Sequence, residues 1–152
     1  MNCPSCGFPL SEHSRARSQQ DHRRFFKLIS STFYHWPEAH DFRPDTSEHL
    51  RAWLLCKAGY RDVTMIPCPE HADAKIIQMI SAAAAAALKA SRSYAFIRPH
   101  AGGLAVLSPR SIAWDKLDQS GFNRIRDAVE DVIRRETGME PDEIMKQTEA
   151  AA

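Results

Sequence analysis

Residues 94–107 read YAFIRPHAGGLAVL. Tyr94 to Arg98 and Leu104 to Leu107 are short alternating runs rich in branched and aromatic residues. The segment Pro99-His100-Ala101-Gly102-Gly103 between them has the chemistry of a turn, so the stretch predicts a β-hairpin. Val63 to Ile66 is β-branched enough for one more short strand, and Ser111 to Trp114 is a candidate third segment beside the hairpin.

Around these strands the hydrophobic spacing changes to three and four, the repeat of a helix with one buried face. Phe25, Phe26, Ile29, Phe33 and Trp36 mark a helix from Gln19 to Trp36, with Ser18 or Asp21 as its cap and Pro37 as its stop. Asp45-Thr46-Ser47-Glu48 opens a second helix whose face is Leu50, Trp53, Leu54 and Ala58, ending at Gly59. Ala72 to Ala90 is a third, in which Ile76, Ile77, Met79 and Ile80 precede six alanines. Those alanines favour helix but have little to bury, so their face suits close approach of another helix, within the fold or across a homodimer. Phe122, Ile125, Val129, Val132 and Ile133 form the stripe of a last long helix from about Asp118 to Thr137, capped by Gly138. Pro141 to Gln147 is a short further helix. The expected fold is α+β, with three to four main helices packed with a small antiparallel hairpin or sheet. The expected organisation is an N-terminal arm at 1–17, one α+β domain at 18–138, and a short helix with a frayed tail at 139–152.

Composition narrows the function classes. The chain has 152 residues, 43% hydrophobic and 26% charged, with a formal net charge of +1. That balance excludes a wholly disordered chain, and any basic binding surface must be local. The longest apolar run, Ala82 to Leu88, falls far short of the roughly 18 residues that mark a membrane span. The beginning Met1-Asn2-Cys3-Pro4 does not read as a signal peptide, so the cytoplasm is the expected compartment and disulfides are disfavoured.

The most specific chemical feature is a divided ligand set. Cys3-Pro4-Ser5-Cys6-Gly7 is a C-x2-C turn, and Cys68-Pro69-Glu70-His71 is a C-x2-H turn with the same leading Cys-Pro. Cys3, Cys6, Cys68 and His71 together make a tetrahedral Cys3His set for structural Zn2+, which would pin the N-terminal arm to the loop before the third helix. His13 is the alternative fourth ligand. Cys56, on the apolar face of the second helix, reads as a small buried hydrophobe.

A second feature is basic. Arg15, Arg17, His22, Arg23, Arg24 and Lys27 cluster around the start of the first helix, with Asp21 the only acid among them. Such a patch can contact the phosphates of single- or double-stranded nucleic acid, or it can be a solvated face balanced by acids elsewhere.

Two stretches resemble an uncharacterised phage protein family. One runs Arg17-Ser18-Gln19-Gln20-Asp21-His22-Arg23-Arg24-Phe25-Phe26, then Trp36, Trp53 and Ala58-Gly59-Tyr60. The other is Ser111-Ile112-Ala113-Trp114 through Phe122. The layout over about residues 15 to 137 is also loosely similar to phage recombination proteins of the NinB type. Those share an Arg-Ser…Gln opening to the first helix and a Ser…Phe opening to the last. The resemblance implies a phage accessory protein that engages single-stranded DNA and its binding protein. Arg17, Gln20, His22, Arg23 and Lys27 are the positions that carry over to phosphate contact. The Cys3/Cys6 arm departs from both families.

No catalytic constellation stands out. Phosphate-binding glycine loops, G-x-S-x-G and H-E-x-x-H motifs are absent from the sequence. His35, His40 and His49 near Glu38, Asp41, Asp45 and Glu48 allow a metal-dependent nuclease to be imagined, but loop histidines beside carboxylates are ordinarily surface residues. The leading expectation is a non-enzymatic accessory protein of DNA transactions, binding nucleic acid or a nucleic-acid-bound host protein through Arg15, Arg17, Gln20, His22, Arg23, Arg24 and Lys27. The alternative is a protein-binding module that modulates a host defence or repair complex.

Overall fold

The structure, a computed structural model, describes residues 18–70, 72–90, 94–100, 102–113 and 115–152. Among the described residues five helices and three strands follow one another in the order α1 (Gln19–Tyr34), α2 (Ser47–Lys57), β1 (Arg61–Pro67), α3 (Ala74–Ala90), β2 (Phe96–His100), β3 (Gly103–Pro109), α4 (Gln119–Thr137) and α5 (Pro141–Ala151). The α+β class is therefore as expected. The chain forms two compact units, one from Met1–Asp41 with Ser111–Ala152, the other Phe42–Arg110. Among the described residues no helix is long and apolar enough to cross a membrane.

In the first unit, α1 begins where the Ser18 side chain accepts the Asp21 backbone N–H, which satisfies one of the free donors of the first turn. Asp118 does the same for α4 by accepting from Gly121 N at 2.6 Å. Gly138 ends α4 at φ 71°, in the left-handed region where a side chain would be strained, and donates its N–H to Arg134 O. All five stripe residues of α4 are buried. They share the core with Phe25, Leu28, Ile29 and Thr32 of α1 and Ile144 of α5. Phe25 meets Phe122 edge-on at 5.5 Å. Phe26 and Phe33 are only half-buried, because the buried side of α1 is centred on Leu28 and Thr32. Thr32 tolerates full burial by donating to Leu28 O at 2.8 Å. The last helix packs against α1 and continues to Ala151.

In the second unit the strands form one antiparallel sheet of order β1-β3-β2. The expected hairpin is β2–β3, with strands that reach into the turn segment: Pro99 pairs with Leu104 and His100 with Gly103. The third strand is β1, paired to β3 from Arg61↔Pro109 to Pro67↔Gly103. Ser111–Ala113 form no strand, and Trp114 lies outside the described residues. A Cβ on Gly103 would sit 2.1 Å from Ile66 O, so only glycine lets β1 close on β3 there. Thr46 rather than Asp45, the two caps the sequence allows, caps α2 by accepting from His49 N. Leu50, Trp53, Leu54, Leu55 and Cys56 of α2 are buried, and α2 packs on β3. Phe42, which no periodicity singles out, stacks on Trp53 at 4.8 Å and meets Phe96 edge-on at 5.8 Å.

Candidate nucleic-acid interface

Gln20, Arg23, Arg24 and Lys27 lie at spacings of three and four along α1, on one face. Asp142, Met145, Lys146 and Glu149 repeat the same spacing along α5. The two faces line one groove of about 410 Å³ in the first unit. The helices are held side by side by burial of Ile144 and Pro141 at the start of α5, and by His35 Nε2 against Thr148 Oγ1 at 3.1 Å further along.

The groove is lined by four cations and two carboxylates, and two of the cations are paired. Arg24 Nη2 donates to Asp142 Oδ1 at 2.6 Å, and Lys27 Nζ pairs with Glu149. The Lys27 ammonium holds the Glu149 carboxyl below the usual glutamate range. All four side chains are about half or more exposed, so both pairs exchange readily with solvent ions. Arg23 and Lys146 make no ion pair among the described residues. Gln20 lines the groove beside them. A neighbouring cavity of about 390 Å³ adds Glu130, Arg134, Glu140 and Glu143, so the acid content rises on that side. Burial pushes the Glu130 carboxyl up, against the pull of Arg126, Arg24 and Arg134.

The remaining members of the expected patch separate. His22 is half-buried and turned toward aromatic rings, 4.7 Å from Phe26 and 6.4 Å from Phe122. Arg15 and Arg17 lie outside the described residues. Asp21 accepts from Gln119 Nε2 at 2.9 Å, while Gln119 Oε1 accepts the Ser18 N–H at 2.5 Å, a polar clasp between the starts of α1 and α4. Sequence reasoning missed Lys146 and the two carboxylates. Their 142/145/146/149 spacing was readable, but not the fact that it faces α1.

Of the metal set, Cys3, Cys6 and His71 lie outside the described residues. Cys68 is half-exposed just after β1, and its backbone N–H donates to Gly102 O at 3.0 Å. Ala72 N donates to Pro69 O at 2.9 Å. Cys56 is buried and its thiol is pushed up to about 11 by that burial, so it stays protonated and unsuited to a metal. No three His, Cys, Asp or Glu side chains among the described residues stand together as a metal-holding group.

The three histidines of the imagined nuclease are each engaged elsewhere. In the first unit His35 meets Thr148, and His40 contacts Glu136 at 3.1 Å and the Trp36 ring at 4.7 Å. In the second unit His49 stacks on Tyr94 and Phe96 at 5.2 and 5.8 Å and lies 3.5 Å from Asp45, which also pairs with Lys89 at 2.8 Å. Desolvation lowers the His49 pKa despite the nearby Asp45 carboxylate. Lys89, followed by His49, holds the Asp45 carboxyl below its usual range.

No protein-family model, curated protein or solved structure matches the chain. What the fold and the groove define is an α+β protein with a cation-lined cleft between two helices.

Proposed function

We propose that the chain is a non-enzymatic accessory protein of DNA transactions, of the phage recombination type, acting in the cytoplasm of a bacterial host. The α1/α5 groove holds a stretch of nucleic-acid backbone. One observation carries the reading: Arg23 and Lys146 face a common groove without carboxylate partners among the described residues, and Arg24 and Lys27 line the same groove in exposed pairs. A phosphate diester arriving there meets Arg23 and Lys146 at once. Arg24 and Lys27 stay paired to Asp142 and Glu149 in the native chain and reach phosphate only once those carboxylates are neutralised. Such contacts are with the backbone, so binding is strongly salt-dependent and weak in sequence preference. Gln20 supplies a neutral donor to a phosphate or sugar oxygen.

We also propose that Cys3, Cys6, Cys68 and His71 hold one structural Zn2+. Three thiolates and an imidazole fit a closed tetrahedral site, and the C-x2-H spacing of Cys68 and His71 in the sequence supports the reading. A bound zinc would supply a crosslink between the start of the chain and the end of β1, with no open position for chemistry.

The test is anisotropy of a labelled single-stranded oligonucleotide titrated with the intact protein at several salt concentrations. Arg23→Glu combined with Lys146→Glu should abolish binding while leaving the thermal melt in place. Unchanged binding removes the groove from consideration, and host partners that survive nuclease in a pull-down of the tagged protein would favour a protein-binding role instead.

A further inference from the structure

Helix α3 is apolar on both sides. Its half-buried positions, Ile77, Ser81, Ala84 and Leu88, form one row, and the helix packs on β2. A second row is exposed at every position: Ile76, Met79, Ile80, Ala83, Ala86, Ala87 and Ala90. The three bulky members are 52%, 65% and 52% exposed. These seven residues stand at heptad spacing, with 76, 83 and 90 in one line, 79 and 86 in a second, and 80 and 87 in a third. That is the seam of a paired helix rather than a solvated face. The polar residues of α3, Lys75, Gln78, Ser81 and Lys89, all lie off the seam.

The seam also carries a size gradient. Its N-terminal half is Ile and Met, and its C-terminal half is alanine throughout. A second copy laid antiparallel about Ala83 sets Ile76 over Ala90 of the partner subunit, Met79 over Ala87 of the partner subunit, and Ile80 over Ala86 of the partner subunit. Every bulky side chain then meets a small one, and the helices approach closely along the whole seam. A parallel pair would crowd one end and leave a gap at the other. Charge permits the same arrangement: Lys75 comes near Lys89 of the partner subunit, and in each copy the Lys89 charge is offset by Asp45 at 2.8 Å.

We propose that α3 is a self-association surface and that the protein forms an antiparallel, two-fold dimer through this seam. Seventeen residues rising about 1.5 Å each give a contact about 25 Å long. A single helix pair of that length falls below the roughly 800 Å² per partner of a permanent complex, so the dimer is reversible and concentration-dependent.

Sedimentation equilibrium of the intact chain, up to concentrations on the order of 100 µM, should show monomer and dimer exchanging. Met79→Glu should weaken the dimer at least tenfold, and because residue 79 is exposed the far-UV spectrum and melt should stay as they are. A monomer at all concentrations, or a dimer indifferent to Met79→Glu, overturns the proposal. Orientation is read by a short thiol crosslinker, above the background of the native cysteines. Ala83→Cys, on the two-fold axis, should link copy to copy. Ala90→Cys should not, because fourteen residues separate the two sites along the seam, about 21 Å. Efficient linking through residue 90 alone would mean a parallel pair and would sink the antiparallel arrangement.

Discussion

Replacing Asp142 by Asn and Glu149 by Gln removes both carboxylates from the α1/α5 groove with almost no change in side-chain volume. In the native chain Arg24 and Lys27 answer those carboxylates, leaving Arg23 and Lys146 as the cations of the groove without an ion pair among the described residues. If each of these two meets one phosphate, the logarithm of the binding constant for single-stranded DNA should fall with the logarithm of salt with a slope of about −1.4, at roughly 0.7 per contact. Releasing Arg24 and Lys27 doubles the contacts and takes the slope to about −2.8. Between about 50 and 200 mM salt the native chain should then lose about 7-fold in affinity and the double variant about 50-fold, with the variant binding more tightly at the low-salt end. Both pairs are exposed, so the melt should move little. Asp142 also sits in the first turn of α5, where a negative charge is favourable, so the neutral Asn gives up about 0.3–1 kcal/mol there. The assay is oligonucleotide anisotropy across a salt series. A variant with the native slope would show that Arg24 and Lys27 never reach phosphate, and the groove would lose its claim to be the binding site.

Gly103→Ala should destabilise the second unit by about 1–3 kcal/mol, the usual range for overpacking, because the new methyl meets the Ile66 carbonyl that β1 presents there; urea unfolding followed by the Trp53 signal would measure it. Burial lowers the folded His49 pKa from the unfolded value of 6.5, so the unfolded chain binds the proton more tightly. Stability should therefore decline as pH falls from about 7 through the folded pKa, and His49→Phe should flatten that part of the profile. Asp45, also lowered, adds its own loss only in the more acidic range below its unfolded 3.8. Elemental analysis should find one zinc per chain, lost in Cys3→Ser and in His71→Ala but retained in Cys56→Ala, because the Cys56 thiol stays protonated in the core.

Local features of this fold were legible and non-local ones were not. Ser18, Thr46, Asp118 and Gly138 were readable as helix boundaries because a cap satisfies backbone groups only three or four residues away. The α4 stripe was readable because all its members face one core. The face of α1 was read slightly off, with Phe26 and Phe33 in place of Leu28 and Thr32, since an aromatic ring weighs heavily in a periodicity count but a back-bonded threonine does not. The strand at Val63 to Ile66 was readable from its branched residues, but its pairing with β3 from across α3 was not, because no short-range pattern encodes which edge a strand joins. In the candidate site Arg23, Arg24 and Lys27 were visible as a cluster. Their division into paired and free was invisible, because the partners lie 118 and 122 residues further along.

The amino-acid sequence alone determined where the helices begin and end, that a hairpin follows α3, and which residues have the chemistry for phosphate or zinc. Each of these depends on hydrogen bonds and side-chain spacing within a few residues. Tertiary structure decided which cations remain unanswered, that Lys146 joins them, and that one side of α3 has nothing over it among the described residues. Charge and burial are sums over everything nearby in space, and those neighbours come from distant parts of the chain.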